Sequence, residues 1–373
     1  MITIPIPFQL RQTILAVGAD LKCRPALARG GAATFFEEIG DLAVPENQEA
    51  LEALVERESP EMILCDRHPG YYSTQLAERL AAQRKVPLIQ VQHHRAHVAA
   101  VALEQGLFTE TVVGLAFDGT GYGDDGTAWG GEFFVGSVER GFERKAHFAV
   151  LPLPGGDAAV REPWRIALSL LIERAADPAV IESWITRCRV PLRDLALFKK
   201  GLAAGIALGR SSALGRWFDA ASALLGIRTI AAFEAEPAIE LQKLAEKYHD
   251  LVGEESWLFQ VQPGNPGQPM IIDFPGLDRI AASNGQKAPA WALAFHVAAA
   301  EATVQAAKHL AQSAGTELVV ASGGCFLNGL FDRLVRERLF AAGLNYIKPQ
   351  GLPPGDQAIA LGQLGLVLAG LRD

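Results

Sequence analysis

Short apolar runs closed by Gly, Pro or Asp alternate, over the first third of the chain, with stretches whose apolar residues recur every three or four positions. Residues 13–17, 60–66 and 86–91 read as buried strands, and residues 47–58, 73–84 and 93–104 as helices. Strand and helix in alternation predict an α/β layer. The first strand ends in Gly18-Ala19-Asp20, and residues 21–27 are expected to return as the second arm of an edge hairpin. A new strand is expected at 112–117, running into the Gly/Asp-rich turn 118–126, with 129–138 as its return strand.

Beyond it come a Pro/Gly loop at 152–156 and a mostly helical stretch to about residue 225. Short strands are expected within 254–284, a long helix at 291–312, a strand at 318–321, a helix at 327–342 and a short strand at 346–348. The turn Pro353-Pro354-Gly355 then leads into a closing helix from Asp356. Each half opens with strand, Gly-containing turn and return strand, the mark of a duplicated α/β architecture.

At roughly 150 residues per domain, 373 residues correspond to about two domains or slightly more. With 49% hydrophobic and 20% charged residues the chain has globular composition. A net charge of -8 gives no broad electrostatic footprint for nucleic acid or anionic lipid, so an anionic ligand needs a local site. The four cysteines, Cys23, Cys65, Cys188 and Cys325, lie far apart without a CxxC, which excludes a zinc ribbon and a legible disulfide framework. A basic, apolar leader and a run of about 18 apolar residues are both missing, so a cytoplasmic protein is expected.

Four segments carry candidate chemistry. In Gln92-His93-His94-Arg95-Ala96-His97, His93 and His97 stand four apart, on one helix face, roughly 5 to 6 Å apart at Cβ. That spacing suits a surface histidine cluster or two imidazoles on one divalent metal completed by a carboxylate. Asp118-Gly119-Thr120-Gly121-Tyr122-Gly123-Asp124-Asp125-Gly126 is either a hairpin turn or a backbone cradle for phosphates with a cation-holding carboxylate. It is neither a Walker A loop nor a dinucleotide-binding turn. Ser322-Gly323-Gly324-Cys325-Phe326-Leu327-Asn328 follows a buried strand and can bring a ring or ribose against bare backbone. Asp356 opens a helix, so its default role is capping, and it is equally a candidate carboxylate ligand.

In order along the chain, these segments resemble the C-terminal half of the HypF family, carbamoyltransferases of [NiFe]-hydrogenase maturation that are TsaD-like and belong to the ASKHA superfamily. Cys65-Asp66-Arg67-His68-Pro69, Pro152 to Ala159, Arg161-Glu162-Pro163-Trp164-Arg165, Ser211 to Gly226 and Pro353 to Gln363 extend the likeness over almost the whole sequence. The resemblance implies a two-lobed α/β fold with a nucleotide cleft, one lobe formed by residues 12–108 plus 356–373 and the other by 109–355. It implies His93, His97, Asp118 and Asp356 as metal ligands, with Asp118 and Asp356 at the catalytic centre. Gly119, Thr120, Gly121 and Gly123 would line phosphates, and Gly215, Asp219, Gly323, Gly324 and Asn328 would hold the adenosine.

The implied cofactors are ATP or carbamoyl adenylate, Mg2+ and one transition metal, iron or zinc. The implied donor is carbamoyl phosphate and the implied acceptor the C-terminal cysteine of HypE, with adenylate supplied by a separate YrdC-like or full-length HypF protein, because the acylphosphatase, zinc-finger and YrdC-like segments of the family have no counterpart in these residues. A small-molecule O-carbamoyltransferase and a non-catalytic nucleotide-binding subunit are the alternatives. Within the motifs Arg95 stands where the family has histidine, Leu327 where it has glutamine, and Gly355 where it has asparagine.

Overall fold

The computed structural model describes residues 2–206, 208–247, 255–265, 267–283, 285–352, 354–368 and 370. Pro353, residues 369 and 371–373 of the expected closing helix, and residues 254 and 284 lie outside the described residues. The first part of the chain runs β1 (Ile2–Ala16), β2 (Ala26–Phe35), α1 (Pro45–Glu58), β3 (Met62–Asp66), α2 (Tyr72–Arg84), β4 (Leu88–Val91) and α3 (His93–Glu104). It continues with β5 (Val112–Tyr122), β6 (Ala128–Ser137), β7 (Gly141–Phe148), β8 (Leu151–Pro154), α4 (Asp157–Arg161), α5 (Trp164–Glu173), α6 (Pro178–Arg187), α7 (Leu195–Ala203), β9 (Leu208–Ser211) and α8 (Leu214–Leu224). The last third holds α9 (Glu236–Lys247), β10 (Gln260–Gln262), β11 (Met270–Asp273), α10 (Leu277–Ala281), α11 (Ala288–Ala314), β12 (Leu318–Ser322), α12 (Gly329–Ala341), β13 (Asn345–Ile347) and α13 (Ile359–Leu368).

Two sheets repeat one plan. The first has the order β2-β1-β3-β4, an antiparallel β1–β2 hairpin followed by parallel β3 and β4. The second contains β6-β5-β12-β13, again an antiparallel hairpin followed by two parallel strands, and extends beyond β6 through β7, β11 and β10. The duplicated α/β architecture is therefore present. One face of the first sheet packs Leu15, Ile63 and Cys65 against Leu51 and Val55 of α1 and Leu76 and Leu80 of α2. Its other face, through Ile14, Ala16 and Leu64, shares a single apolar cluster with α3, α13 and the second sheet's Val112, Ala116, Phe134 and Val320. Helices α3 and α13 are thus held between the sheets. The remaining core gathers Phe117, Phe133, Phe148, Trp217, Phe218 and Phe295.

Several sequence expectations need correction. The return arm of the first hairpin is 26–35, and residues 21–25 form the turn, because Cys23 pairs with Gly40 instead of with the first strand. Strand β5 does not stop at Phe117 but continues through Asp118 to Tyr122, with a register shift between Phe117 and Gly121 that re-aims the intervening side chains. A 3-10 turn at Gly324–Leu327 precedes α12, and another at Asp356–Ala358 precedes α13. Strands β7, β8 and β9 were not expected; β8 and β9 are only four residues each, pair with one another, and join the sheet through the single β6–β9 pair Ala128–Ser211.

Candidate functional site

Helix α3 starts where β4 ends. The Gln92 side chain accepts from Arg95 N at 3.0 Å as the cap and donates to Tyr122 O at 2.9 Å, fixing the first turn of α3 against the end of β5. His93 and His97, both fully buried, then face the register shift of β5. His93 Nδ1 meets Asp66 Oδ2 at 2.7 Å, so with a carboxylate as partner this nitrogen carries the hydrogen. His97 Nδ1 meets Ser322 Oγ at 3.1 Å. The Nε2 atoms of both rings turn toward the carboxylates of Asp118 and Asp356.

His97 Nε2 lies 3.1 Å from Asp118 Oδ2 and 3.6 Å from Asp356 Oδ1, and His93 Nε2 lies 3.9 and 3.7 Å from the same oxygens. His93 Nε2 is buried without a hydrogen-bond partner. Four donor atoms, one from each residue, fall within 4.8 Å of one another, the one such His/Cys/Asp/Glu group among the described residues. Ligands about 2.0–2.2 Å from a divalent ion stand roughly 3 to 3.5 Å apart, so the donor set and its spacing fit a metal. Burial works against charge on His93, but Asp66, Asp118 and Asp356 hold its imidazolium pKa well above the ordinary value; His97 is raised in the same way by Asp118 and Asp356. Against its own desolvation, Asp118 is held well below the usual carboxylate range by the two histidines. His94 is different: burial and its cationic neighbours keep it neutral, and its Nδ1 accepts from Gln92.

The profile of the HypF Kae1-like domain matches residues 9–104, and that of the second subdomain of the carbamoyltransferase Kae1-like domain matches residues 114–363. The chain belongs to the HypF carbamoyltransferase family. The carbamoyltransferase HypF homolog of Cupriavidus necator is 39% identical over 94% of this chain and 90% of its own length. HypF of Synechocystis is 33% identical over 97% of this chain and 48% of its own, and the chain likewise spans about half the length of most HypF relatives it matches. Among solved structures, full-length HypF in its phosphate- and nucleotide-bound form has a TM-score of 0.86 at 30% identity, covering 100% of this chain and 57% of that one. T. kodakarensis HypF has a TM-score of 0.82 at 31% identity, covering 99% and 49%.

Against this HypF background the other expected residues separate into two groups. Gly119, Gly215 and Gly324 gather at Asp118: Gly119 N donates to Asp118 Oδ1 at 2.8 Å, Gly324 N approaches it at 3.4 Å, and a Cβ on Gly215 would stand 2.9 Å from Gly119 Cα. Thr120 is exposed beside them. The rest have packing partners. A Cβ on Gly121 would lie 2.5 Å from the His94 ring, one on Gly123 2.3 Å from the Trp129 indole, and one on Gly323 2.1 Å from Phe117 O. Asn328 caps α12 through Phe331 N and donates to His296 Nε2 at 3.0 Å, and Asp219 is buried against Arg216 at 2.9 Å. Burial pushes Asp219 up to about 6. Desolvation also raises the Cys325 thiol well above its ordinary value, which speaks against a nucleophile there.

Four residues were not singled out from the sequence. Asp66 and Ser322 hold the two histidines, Tyr71 lies close enough to feel the His93, Asp356, Asp66 and Asp118 charges, and Arg216 is buried near Gly119 with Nε and Nη1 unpartnered. Asp66 and Arg216 do stand inside the family-like segments 65–69 and 211–226, and Ser322 opens the candidate segment 322–328, but nothing in local spacing marks their roles. Arg95 pairs at 2.7 Å with Asp124, which also takes Arg67 at 2.6 Å, and so ties the β5–β6 turn to α3.

Proposed function

We propose that this chain performs the second half of a HypF-type relay, in which a carbamoyl group derived from carbamoyl phosphate and ATP, carried as carbamoyl adenylate, passes to the C-terminal cysteine of HypE during [NiFe]-hydrogenase maturation. The observation that carries this reading is the convergence of four metal-donor atoms from α3, β5 and the start of the closing helix upon the glycine-flanked Asp118 turn. His93, His97, Asp118 and Asp356 would hold one divalent ion, iron or zinc. Bound there, such an ion supplies Lewis-acid polarisation of a carbamoyl or phosphoryl oxygen.

The chain's own groups do the rest. The N–H groups of Gly119 and Gly324 orient Asp118, Thr120 stands exposed for a phosphate, and the Arg216 guanidinium adds positive charge near Gly119 for the departing AMP. Gly215, packed on Gly119, would serve the adenosine, whereas Asp219 is committed to Arg216. In the transfer the thiol sulfur of the acceptor bonds to the carbamoyl carbon while the carbon–oxygen bond to AMP breaks, and the thiol proton leaves to solvent or base; no covalent nucleophile of this chain is required.

The test is transfer from labelled carbamoyl phosphate, with ATP and Mg2+, to HypE, with and without a YrdC-like protein or full-length HypF. Transfer that depends on the added protein is the expected result, and His93→Ala should lower it more than about 100-fold, beyond what changes to residues behind the ligands cost. Full activity of His93→Ala would overturn the proposed site, and no transfer under any donor supply would favour a small-molecule acceptor or a non-catalytic subunit.

A further inference from the structure

We propose that Asp66 and Ser322 are positioning residues that set the tautomers of His93 and His97 from opposite sheets, and that Ser322 also positions Asp356; this rests on the metal-site reading above. Asp66 is the last residue of β3 and is buried; its Oδ1 accepts from His68 N at 2.9 Å, leaving Oδ2 for His93 Nδ1–H. Ser322 is the last residue of β12 and is also fully buried. Its single hydroxyl hydrogen goes to Pro354 O at 2.9 Å, so toward His97 the oxygen can only accept, which requires Nδ1–H on that ring. In the neutral form in which an imidazole ligates, each ring therefore keeps Nδ1–H and frees Nε2 as the donor atom on the side of Asp118 and Asp356.

Pro354 O receives a second donor, Gly323 N at 2.6 Å. One carbonyl with two donors from the end of β12 pins the segment two residues before Asp356. Ser322 thus supports two proposed ligands, one directly and one through the backbone, whereas Asp66 supports one. A ligand histidine whose other nitrogen loses its partner typically costs 10- to 100-fold in metal affinity.

The experiment titrates the metal-free chain with Co2+, reading the visible absorption and the affinity by competition with a chromophoric chelator, for wild type, His93→Ala, Asp66→Asn and Ser322→Ala. The expected result is one tightly bound ion in wild type, none in His93→Ala, and affinities weakened about 10- to 100-fold with a shifted spectrum in Asp66→Asn and Ser322→Ala, while the metal-free variants still unfold cooperatively. Wild-type affinity in both variants, with binding still lost in His93→Ala, would overturn the positioning role and leave the metal site standing. Absence of binding in wild type would overturn both. Should a variant fail to fold, long-range proton–nitrogen spectra of the Zn2+-loaded wild type decide: Nδ1–H on both histidines supports the assignment, and Nε2–H on either one overturns it.

Discussion

At Gly121 and Gly123 the reason for glycine is visible only one residue at a time. Both look like members of a phosphate-binding loop, but the His94 ring and the Trp129 indole occupy the space a side chain would need. Gly123→Ala should therefore cost about 1 to 3 kcal/mol in urea unfolding whether or not nucleotide is present, the usual range for overpacking. His296 is a second case. It is fully buried in neutral form, with Nδ1–H donated to Ala292 O at 2.8 Å and Nε2 accepting from Asn328, and burial lowers its pKa to about 4. The native ring binds fewer protons than the unfolded one between pH 6.5 and 4, so its contribution is present above 6.5 and lost as pH falls through that window. Wild-type stability should drop by about 2 kcal/mol from this group between pH 7 and pH 5, and the drop should vanish in His296→Gln, as read by unfolding at the two pH values. A pH difference that persists unchanged would exclude His296 as its source.

At the scale of elements, the decisive contact is between α13 and α3. A Cβ on Gly362 would stand 1.8 Å from Ala96 O, so the helices meet backbone to backbone, and Gln363 of α13 exchanges hydrogen bonds with Gly18 at 3.1 and 3.4 Å. This close approach is what keeps α3, with His93 and His97, beside the segment that leads into α13 and carries Asp356. Gly362→Ala should lower stability by about 3 kcal/mol, at the upper end for an added methyl because backbone cannot rotate aside, and should weaken metal binding with it. Calorimetry together with the Co2+ titration checks this; unaltered stability would mean that the helices can part without cost. Sequence pattern located α3 at its observed bounds and the start of β5 at Val112, because α3 is an Ala/Val-rich run ending at a polar residue and β5 opens on a continuous apolar run, both buried. It missed β8 and β9, whose existence depends on the neighbouring strand.

At the scale of the molecule, the proposed ligands come from both sides of the seam: His93 and His97 from α3 between the sheets, Asp118 from β5 of the second sheet, and Asp356 from the lead into α13. An ion held by all four binds the native state and not the unfolded chain, so at 100 times its dissociation constant it should add about 2.7 kcal/mol to stability. The rise should be reversed by a chelator and absent in His93→Ala; a chelator-insensitive unfolding midpoint would contradict the linkage. By itself, the order of residues determined the α/β class, the duplicated plan and the four candidate ligands, since periodicity and a run of motifs are local properties that survive without coordinates. Only the tertiary structure decided which glycines serve Asp118 and which make room for rings, that Asn328 is engaged by His296, and that Asp66 and Ser322 stand behind the histidines. Those are contacts between residues 27 to 225 positions apart for the histidine partners, and no local pattern encodes which distant side chain will be met when two sheets close on the helices between them.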